Sequence, residues 1–202
     1  GNSINLTLDA NLNNAAYQAM AGRKGVVALY NYKTGEVLCM LSTPSFDPAD
    51  DAEVEKVASG DSNYDGAYLN RFLSGTYTPG STFKLVTSAA ALETLHNEDS
   101  FSYTCKGSLT LNGEKITCPS VHGTQDLATA LANSCNGAFA TLATQVGGKT
   151  LEKYAQEAGL TSKVNVNGVN SAAGSFTAGT SDNDVGWSGV GQYKDLVNPC
   201  AE

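Results

Sequence analysis

The chain has 202 residues with a hydrophobic fraction of 41%, so it is long enough to form one domain around a hydrophobic core. Its formal net charge of −8 argues against nucleic acid or an anionic membrane surface as the main partner. No apolar run approaches the roughly 18 residues that a membrane-spanning helix needs, and no signal peptide is recognisable. We therefore expect any membrane anchor of the natural protein to lie outside this sequence.

The sequence pattern in the N-terminal third of the chain predicts both strands and helices. Lys33-Thr34-Gly35 joins two β-rich runs, which is typical of a hairpin. Pro44 to Pro48 predicts a loop, because its two prolines disfavour regular structure. The predicted elements are a strand at 4–8, a helix over about 10–21 capped by Asp9, hairpin strands at 25–32 and 36–42, and an acidic surface helix at 49–60.

The part of the chain after Ser81 is predicted to be mainly helical. Asn112-Gly113 is a strong hairpin signal inside a small β region. Residues 161–183 are rich in Ser, Asn and Gly and predict an irregular loop. The predicted elements are a helix from Ser81 to about Leu95, a β region at 101–118, a helix from Thr124 or Asp126 to about Ala132, and helices at about 136–146 and 150–158.

Asn198-Pro199 is a helix-start signal, with Asn as the cap and Pro in the first turn. The sequence stops at Glu202, so we expect the natural domain to continue beyond this residue.

The five cysteines are Cys39, Cys105, Cys118, Cys135 and Cys200. None of them forms a Cys-x-x-Cys pair or a Cys/His group with metal-ligand spacing along the chain, so the sequence predicts no metal site. Cys105 and Cys118 flank the Asn112-Gly113 turn and would be diagonal neighbours on one face of an extended hairpin. Either a Cys105–Cys118 disulfide or two buried thiols fits this pattern, and the odd total leaves at least one free thiol.

Ser81 and Lys84 are the most informative pair of residues. Their i, i+3 spacing at a helix start places a hydroxyl and an amine on one face, one turn apart. A serine hydroxyl needs a nearby base to act as a nucleophile, and a lysine can serve when burial lowers its pKa. The apolar run that follows places Lys84 in a largely buried helix start. The pair therefore predicts a compact nucleophile-and-base unit for acyl transfer.

A second polar group, Ser134-Cys135-Asn136, lies between two predicted helices. A loop between packed helices can hold side chains rigidly while leaving them open to a cleft. Ser134 could relay a proton between Lys84 and a leaving amine, and the amide of Asn136 could bind a substrate amide. Ser and Asn are also common helix caps, so a purely structural role for both residues is the alternative.

These motifs together resemble the transpeptidase domain of penicillin-binding proteins, within the penicillin-recognising serine acyltransferases. The resemblance covers nearly all of the chain in the order of that family, and Leu85 after the lysine favours its monofunctional, class B type. The matching segments are Val26–Tyr30 with Thr34–Leu38, Pro44–Pro48, Asn70-Arg71, Tyr77–Lys84, His122-Gly123, Ser134–Phe139 and Gly191-Gln192.

The resemblance implies an α+β fold of the β-lactamase/transpeptidase type, with an antiparallel sheet and a helical subdomain. We expect residues 1–202 to be a single, incomplete domain whose last sheet strands and Lys-Thr-Gly motif lie beyond Glu202. Lys33-Thr34-Gly35 precedes the nucleophile and sits at a hairpin turn, so it is rejected as that motif. Gly148-Lys149-Thr150 has the wrong order, and Ser181-Asp182-Asn183 comes too late to be the second motif.

The implied activity is that of a peptidoglycan D,D-transpeptidase that acts on D-Ala-D-Ala stem peptides through an acyl-serine. In it Lys84 deprotonates Ser81, Ser134 relays the proton to the leaving D-alanine, and Asn136 binds substrate. No metal or cofactor is implied. The implied partners are peptidoglycan stem peptides, β-lactam antibiotics and divisome or elongasome proteins, with no nucleic acid. The implied location is the extracytoplasmic face of the bacterial cell membrane, through an N-terminal anchor.

The family also supplies a second oxyanion donor from the strand after its third motif. The backbone N–H of Ser81 is the first donor, so we expect the 202-residue chain alone to be weakly active. Loss of one such donor raises the barrier by about 2.7–4 kcal/mol.

Three other functions share the same acylation half-reaction. A β-lactam sensor domain would differ in its flanking sequence, and a D,D-carboxypeptidase would differ only in the acceptor. A serine β-lactamase needs a further base that activates a deacylating water, and the sequence offers no Glu or modified Lys that can be assigned to this role.

Overall fold

A computed structural model describes residues 2–96 and 100–202. The chain divides into two compact units, which are described separately below. The first unit contains the residues up to Gly75 together with Val166–Ala172, and the second contains Thr76–Asn165 together with Ala173–Glu202.

The first unit is built around an antiparallel hairpin whose strands pair from Gly25↔Thr43 to Tyr30↔Val37. Lys33-Thr34-Gly35 forms its turn, as the sequence predicted, with Gly35 at a φ of 77°. Asp9 caps the first helix by accepting from the backbone N–H groups of Asn11 and Leu12. The elements are α1 (Ala10–Met20), β1 (Gly25–Tyr30), β2 (Val37–Thr43), α2 (Asp51–Ser59), a 3₁₀ turn (Ser62–Tyr64) and α3 (Arg71–Ser74).

The predicted strand at residues 4–8 is wrong, because this segment has no regular structure. It is tied to the start of β2 by the Thr7 hydroxyl, which donates to the carbonyl of Val37, and by the Asp9 N–H, which donates to the carbonyl of Leu38. These contacts do not continue into a ladder, and Ile4 and Leu6 remain exposed. Alternation of apolar residues therefore predicted a strand for which the described fold provides no paired edge.

The second unit has helix α6 (Asn136–Val146) at its centre. Phe139, Leu142 and Ala143 of this helix are fully buried in the core. Helix α8 (Asp182–Gly189) packs closely against α6, as shown by Gly189, where an added Cβ would lie 2.2 Å from the Cβ of Ala143. The further helices are α4 (Lys84–Leu95), preceded by a 3₁₀ turn (Gly80–Phe83), then α5 (Leu127–Ala132), α7 (Gly148–Glu157) and α8 (Asp182–Gly189).

The β region of the second unit differs from a single extended hairpin. The Asn112-Gly113 turn joins β4 (Ser108–Leu111) to β5 (Glu114–Thr117) with a two-residue loop, as predicted. The chain turns before β4, at Gly107 with a φ of 88°, so Cys105 pairs with Gly123 instead. The strands of this region are β3 (Tyr103–Cys105), β4 (Ser108–Leu111), β5 (Glu114–Thr117) and β6 (Gly123–Gln125). Two short strands follow later in the chain, β7 (Asn165–Val166) and β8 (Val169–Asn170), and β8 belongs to the first unit.

Cys105 and Cys118, which the sequence left open between a disulfide and two thiols, are two thiols in this structure. Their proximity has a different origin from the one expected. It arises because β3 pairs with β6 and not because β3 extends the β4–β5 hairpin.

The predicted irregular loop at 161–183 is correct only in part, since it contains the short strands β7 and β8 and the first residues of α8. Ser181 caps α8 through a capping box: its side chain accepts from the Asp184 N–H, and the Asp184 carboxylate accepts from the Ser181 N–H. Ser181-Asp182-Asn183 therefore forms a helix start, which explains its composition without a catalytic role.

The segment before α4 is held from both sides within the second unit. Tyr77 and Val197 exchange two backbone hydrogen bonds of 2.8 Å. The N–H of Gly80 donates to the carbonyl of Gly191 over 2.8 Å, and Phe83 stacks on Phe176 with 4.6 Å between the ring centroids. These contacts position the turn that carries Ser81.

We predict that Gly191→Ala destabilises the second unit more than an ordinary glycine substitution. Gly191 has a φ of 79°, and an added Cβ would lie 2.1 Å from the carbonyl oxygen of Gly80. Gly159 has a matching φ of 81° and no atom within 4 Å of an added Cβ. Urea unfolding should show a loss of about 3 kcal/mol or more for Gly191→Ala and about 1–2 kcal/mol for Gly159→Ala. Equal losses would show that the Gly80 contact is not a constraint.

Candidate active site

Ser81 and Lys84 lie at the junction of two helical segments. Ser81 is in the 3₁₀ turn Gly80–Phe83, and Lys84 is the first residue of α4. The sequence placed both in the first turn of one α-helix, and the structure corrects this only in the type of turn. Ser81 is exposed while Lys84 is buried, with 1% of its surface accessible. A hydroxyl that faces solvent is therefore backed by an amine inside the protein.

The Lys84 amine joins the residues that the sequence singled out. Its Nζ lies 3.2 Å from the Ser81 Oγ and 2.8 Å from the Ser134 Oγ. It also lies 2.8 Å from the Ser134 carbonyl oxygen and 2.8 Å from the Asn136 Oδ1. The structure thus brings together all four predicted site residues, although 50 positions separate Lys84 from Ser134.

Ser134 lies between α5 and α6 in a left-handed backbone conformation, with a φ of 51°. This conformation costs a non-glycine residue about 1–2 kcal/mol, so the surrounding fold must hold it in place. The Ser134 hydroxyl donates to the Ser81 Oγ over 2.9 Å. Ser81, Ser134 and Lys84 therefore form a closed triangle of hydrogen-bonding groups through which a proton can pass.

Asn136 connects the lysine to the β4–β5 hairpin. Its Oδ1 accepts from Lys84, and its Nδ2 donates to the carbonyl of Thr117 over 2.8 Å. Both ends of the amide are therefore fixed by contacts inside the protein. The geometry directly shows that Asn136 positions Lys84, whereas the predicted contact with a substrate amide stays a prediction.

Burial lowers the pKa of Lys84 to about 8, although Cys135 and Cys118 act in the opposite direction. An amine with this pKa is neutral in roughly a tenth of the molecules at pH 7. A neutral amine can accept a proton, so Lys84 meets the requirement for a general base.

Two further groups at the site were not identified from the sequence. The ring of Phe139 lies 5.7 Å from the Lys84 Nζ and helps to bury it. The carbonyl of Thr117 orients Asn136, and a backbone group leaves no signal in residue type. The position of Phe139 three residues after Asn136 on α6 could have indicated that both face the same side.

The rejected motifs are explained by their places in the fold. Lys33-Thr34-Gly35 is the β1–β2 turn, and Gly148-Lys149-Thr150 begins α7.

The helix start predicted at Asn198-Pro199 has the expected local geometry. The Asn198 side chain accepts from the Cys200 N–H, and the Asn198 carbonyl accepts from the N–H groups of Ala201 and Glu202.

We predict that Asn136→Ala lowers the free energy of unfolding by about 1–3 kcal/mol, since a buried ammonium and a carbonyl each lose a partner. The matched control is Asn63→Ala, because the exposed Asn63 amide donates to the nearby Asp61 carboxylate. Its effect should stay within about 0.5 kcal/mol. Urea unfolding monitored by circular dichroism measures both. Comparable losses would show that Asn136 does not support the Lys84 site.

Several relatives of this chain carry the name peptidoglycan D,D-transpeptidase. Stage V sporulation protein D of Bacillus subtilis is 34% identical over 169 residues, which cover 81% of this chain and 24% of that protein. The peptidoglycan D,D-transpeptidase PbpA of Mycobacterium tuberculosis is 32% identical over 181 residues, which cover 80% of this chain and 36% of that protein. The chain thus spans about a quarter to a third of the length of these relatives.

A solved structure of penicillin-binding protein A from M. tuberculosis, an imipenem acyl-enzyme complex, superposes with a TM-score of 0.80 at 28% identity. The match covers 96% of this chain and 49% of that one, which confirms the predicted β-lactamase/transpeptidase-type fold. The model of the penicillin binding protein transpeptidase domain matches residues 25–201. The chain therefore belongs to the family of penicillin-binding protein transpeptidase domains.

Proposed function

We propose that this chain is part of a single transpeptidase domain of a peptidoglycan D,D-transpeptidase, and that its serine is acylated by stem peptides and by β-lactams. The observation that carries this proposal is the Lys84 amine, which contacts the Ser81 Oγ, the Ser134 Oγ and the Asn136 Oδ1 at once. The names of the relatives and the acyl-enzyme form of a similar structure support the same reaction.

In the first step the neutral Lys84 amine takes the proton of Ser81, either directly or through Ser134. The Ser81 oxygen attacks the carbonyl carbon of the penultimate D-alanine, which forms a C–O bond and moves the carbonyl electrons onto oxygen. The backbone N–H of Ser81 is one donor for this oxyanion. The exposed position of Ser81 allows a peptide to reach it without rearrangement of the buried lysine.

In the second step the C–N bond to the terminal D-alanine breaks. The leaving nitrogen needs a proton, and the Ser134 hydroxyl can deliver one because it lies 2.9 Å from the Ser81 Oγ. Lys84 lies 2.8 Å from the Ser134 Oγ and replaces that proton. The products are free D-alanine and an acyl-Ser81 ester.

In the third step an amine of a neighbouring stem peptide attacks the ester and loses its proton to the same base. A peptide cross-link forms and Ser81 regains its hydroxyl. A β-lactam enters by the same first step, and the opened ring leaves a stable acyl-serine. The imipenem acyl-enzyme of the M. tuberculosis protein is the corresponding species in a relative.

The substrate places this chemistry outside the cytoplasm, on the outer side of the bacterial cell membrane. Among the described residues, no helix combines the length and the apolar character required to cross a membrane. We propose an anchor elsewhere in the protein and contacts with division or elongation proteins, which would bring the domain to its substrate.

We predict that a fluorescent penicillin acylates the protein that contains this chain at Ser81, and that Ser81→Ala abolishes labelling. Thr82→Ala is the matched control, since it removes an adjacent exposed hydroxyl and should label normally. Gel fluorescence measures the label, and peptide mapping by mass spectrometry assigns it. A label that persists in Ser81→Ala would contradict the assignment of the nucleophile.

We predict that the acylation rate rises about tenfold per pH unit below neutrality and levels off above pH 8, because Lys84 must lose its proton first. Lys84→Arg cannot supply a neutral base and should lower the rate by about 10²–10⁴-fold. Lys149→Arg changes an exposed lysine at the start of α7 and should leave the profile unchanged. Stopped-flow acylation with nitrocefin between pH 5 and 9 measures both, and a flat profile would contradict the role of Lys84.

A further inference from the structure

Three cysteines and a histidine meet behind the candidate active site. They are Cys105, Cys118, His122 and Cys135, and we call them the cysteine–histidine cluster. One ligand atom of each residue lies within 4.8 Å of those of the other three. The four residues come from the end of β3, the segment that follows β5, and the α5–α6 loop. Separate segments therefore converge on one point inside the second unit.

The spacing within the cluster fits a tetrahedral metal site. A zinc–sulfur bond of about 2.3 Å places two sulfurs of a tetrahedron about 3.8 Å apart. The Sγ atoms of Cys118 and Cys135 are 3.8 Å apart. This separation is far longer than the S–S bond of about 2.05 Å in a disulfide. The pair is thus placed as two ligands of one ion would be.

The histidine of the cluster has an unused buried nitrogen. His122 Nδ1 is inaccessible to solvent and has no hydrogen-bond partner among the described residues. Buried polar atoms of folded proteins nearly always have a partner, so an exception needs an explanation. A metal ion between the ring and the three sulfurs supplies one, because neutral imidazole and thiolate are the usual ligands of zinc.

The sulfurs are also surrounded in the way that supports thiolate ligands. The backbone N–H of Gly107 donates to the Cys105 Sγ over 3.4 Å, and that of Gly137 donates to the Cys118 Sγ over 3.2 Å. Cys105 and Cys135 are 1% and 0% exposed. Hydrogen bonds to the coordinating atoms and exclusion of water are the features that surround structural metal sites.

The simpler interpretation of this cluster is that its two buried and two partly buried residues pack together without a metal. The composition argues against it, because three of the five cysteines and one of the two histidines of the chain fall within residues 105–135. The sequence-based expectation of no metal site rested on spacing along the chain. The pairing of β3 with β6 brings distant residues together in a way that such spacing does not reveal.

We propose that Cys105, Cys118, His122 and Cys135 bind one zinc ion in a closed Cys₃His tetrahedron. Three sulfurs and one nitrogen favour zinc over harder cations such as magnesium or calcium, which prefer oxygen ligands. Four protein ligands leave no open position for water, so the ion is structural and does not act on substrate.

The site would fix the two segments that hold Lys84. Cys135 lies between Ser134 and Asn136, the two residues that contact the Lys84 amine. Cys118 follows Thr117, whose carbonyl accepts from Asn136. A bound ion would therefore clamp the α5–α6 loop to the end of β5. Its role is to position Ser134 and Asn136.

The first test is the metal content of the chain, purified without a histidine tag, under reductant, from zinc-supplemented cells. We expect about one zinc per chain by inductively coupled plasma mass spectrometry. Cys105→Ser and His122→Ala should fall below about a tenth of that value. Cys39→Ser and Cys200→Ser change cysteines outside the cluster and should keep the full content. Equal losses in all four variants, or no zinc in the unmodified chain, would overturn the proposal.

Cobalt substitution of the unmodified chain covers the case in which the variants fail to fold. Cobalt(II) occupies tetrahedral zinc sites and absorbs visible light. We expect intense visible bands and thiolate-to-metal charge transfer, both removed by one equivalent of added zinc. A weak spectrum of octahedral type, or binding that zinc does not displace, would overturn the proposal.

Hydrogen exchange then tests the positioning role independently of any enzymatic activity. Removal of zinc by a chelator should speed amide exchange about tenfold or more at residues 117–118 and 134–137. Residues 25–43 form the β1–β2 hairpin of the first unit and should not change. Unchanged exchange at 134–137 would show that the ion does not hold the α5–α6 loop.

Discussion

The hydrogen bonding of the buried Lys84 amine is the constraint on which the rest of the site depends. An amine that is 1% exposed loses its hydration, and this loss is tolerated only if protein atoms replace the water. Oxygens of Ser81, Ser134 and Asn136 do so at 2.8–3.2 Å. Because these partners belong to two distant segments, the start of α4 and the α5–α6 loop must be held in register.

Close packing of small side chains provides this register. Ala90 of α4 and Ala138 of α6 are both fully buried in one core, where their small side chains take little space. Gly189 lets α8 approach α6 equally closely on another side. The Thr87 hydroxyl of α4 donates to the carbonyl of Gly189, so α4 is also hydrogen-bonded to α8. Interiors packed in this way transmit displacement, so a shift of one helix would move the site.

Much of this site could be predicted from the sequence, because the patterns that indicate it involve residues close together in the chain. The i, i+3 spacing of Ser81 and Lys84 depends on neighbouring residues alone. The same holds outside the site for the hairpin turn at Lys33-Thr34-Gly35. The strand predicted at 4–8 and the expected diagonal pair of cysteines were wrong because each depends on which strand lies alongside. The chain turns at Gly107, and this single turn directs Cys105 to β6. Pairing between distant segments is a tertiary outcome that periodicity does not encode.

The α5–α6 loop serves two environments at once, and its backbone conformation explains how. Ser134 takes a left-handed conformation, while Cys135 at the next position is extended, with a φ of −71° and a ψ of 107°. Ser134 and Asn136 can then face Lys84 while the side chain of Cys135 enters the core behind them. Among the described contacts, Lys84 bonds to Ser134 and Asn136 on either side of Cys135. The segment Ser134-Cys135-Asn136 therefore contributes one residue to the cysteine–histidine cluster and two to the candidate active site.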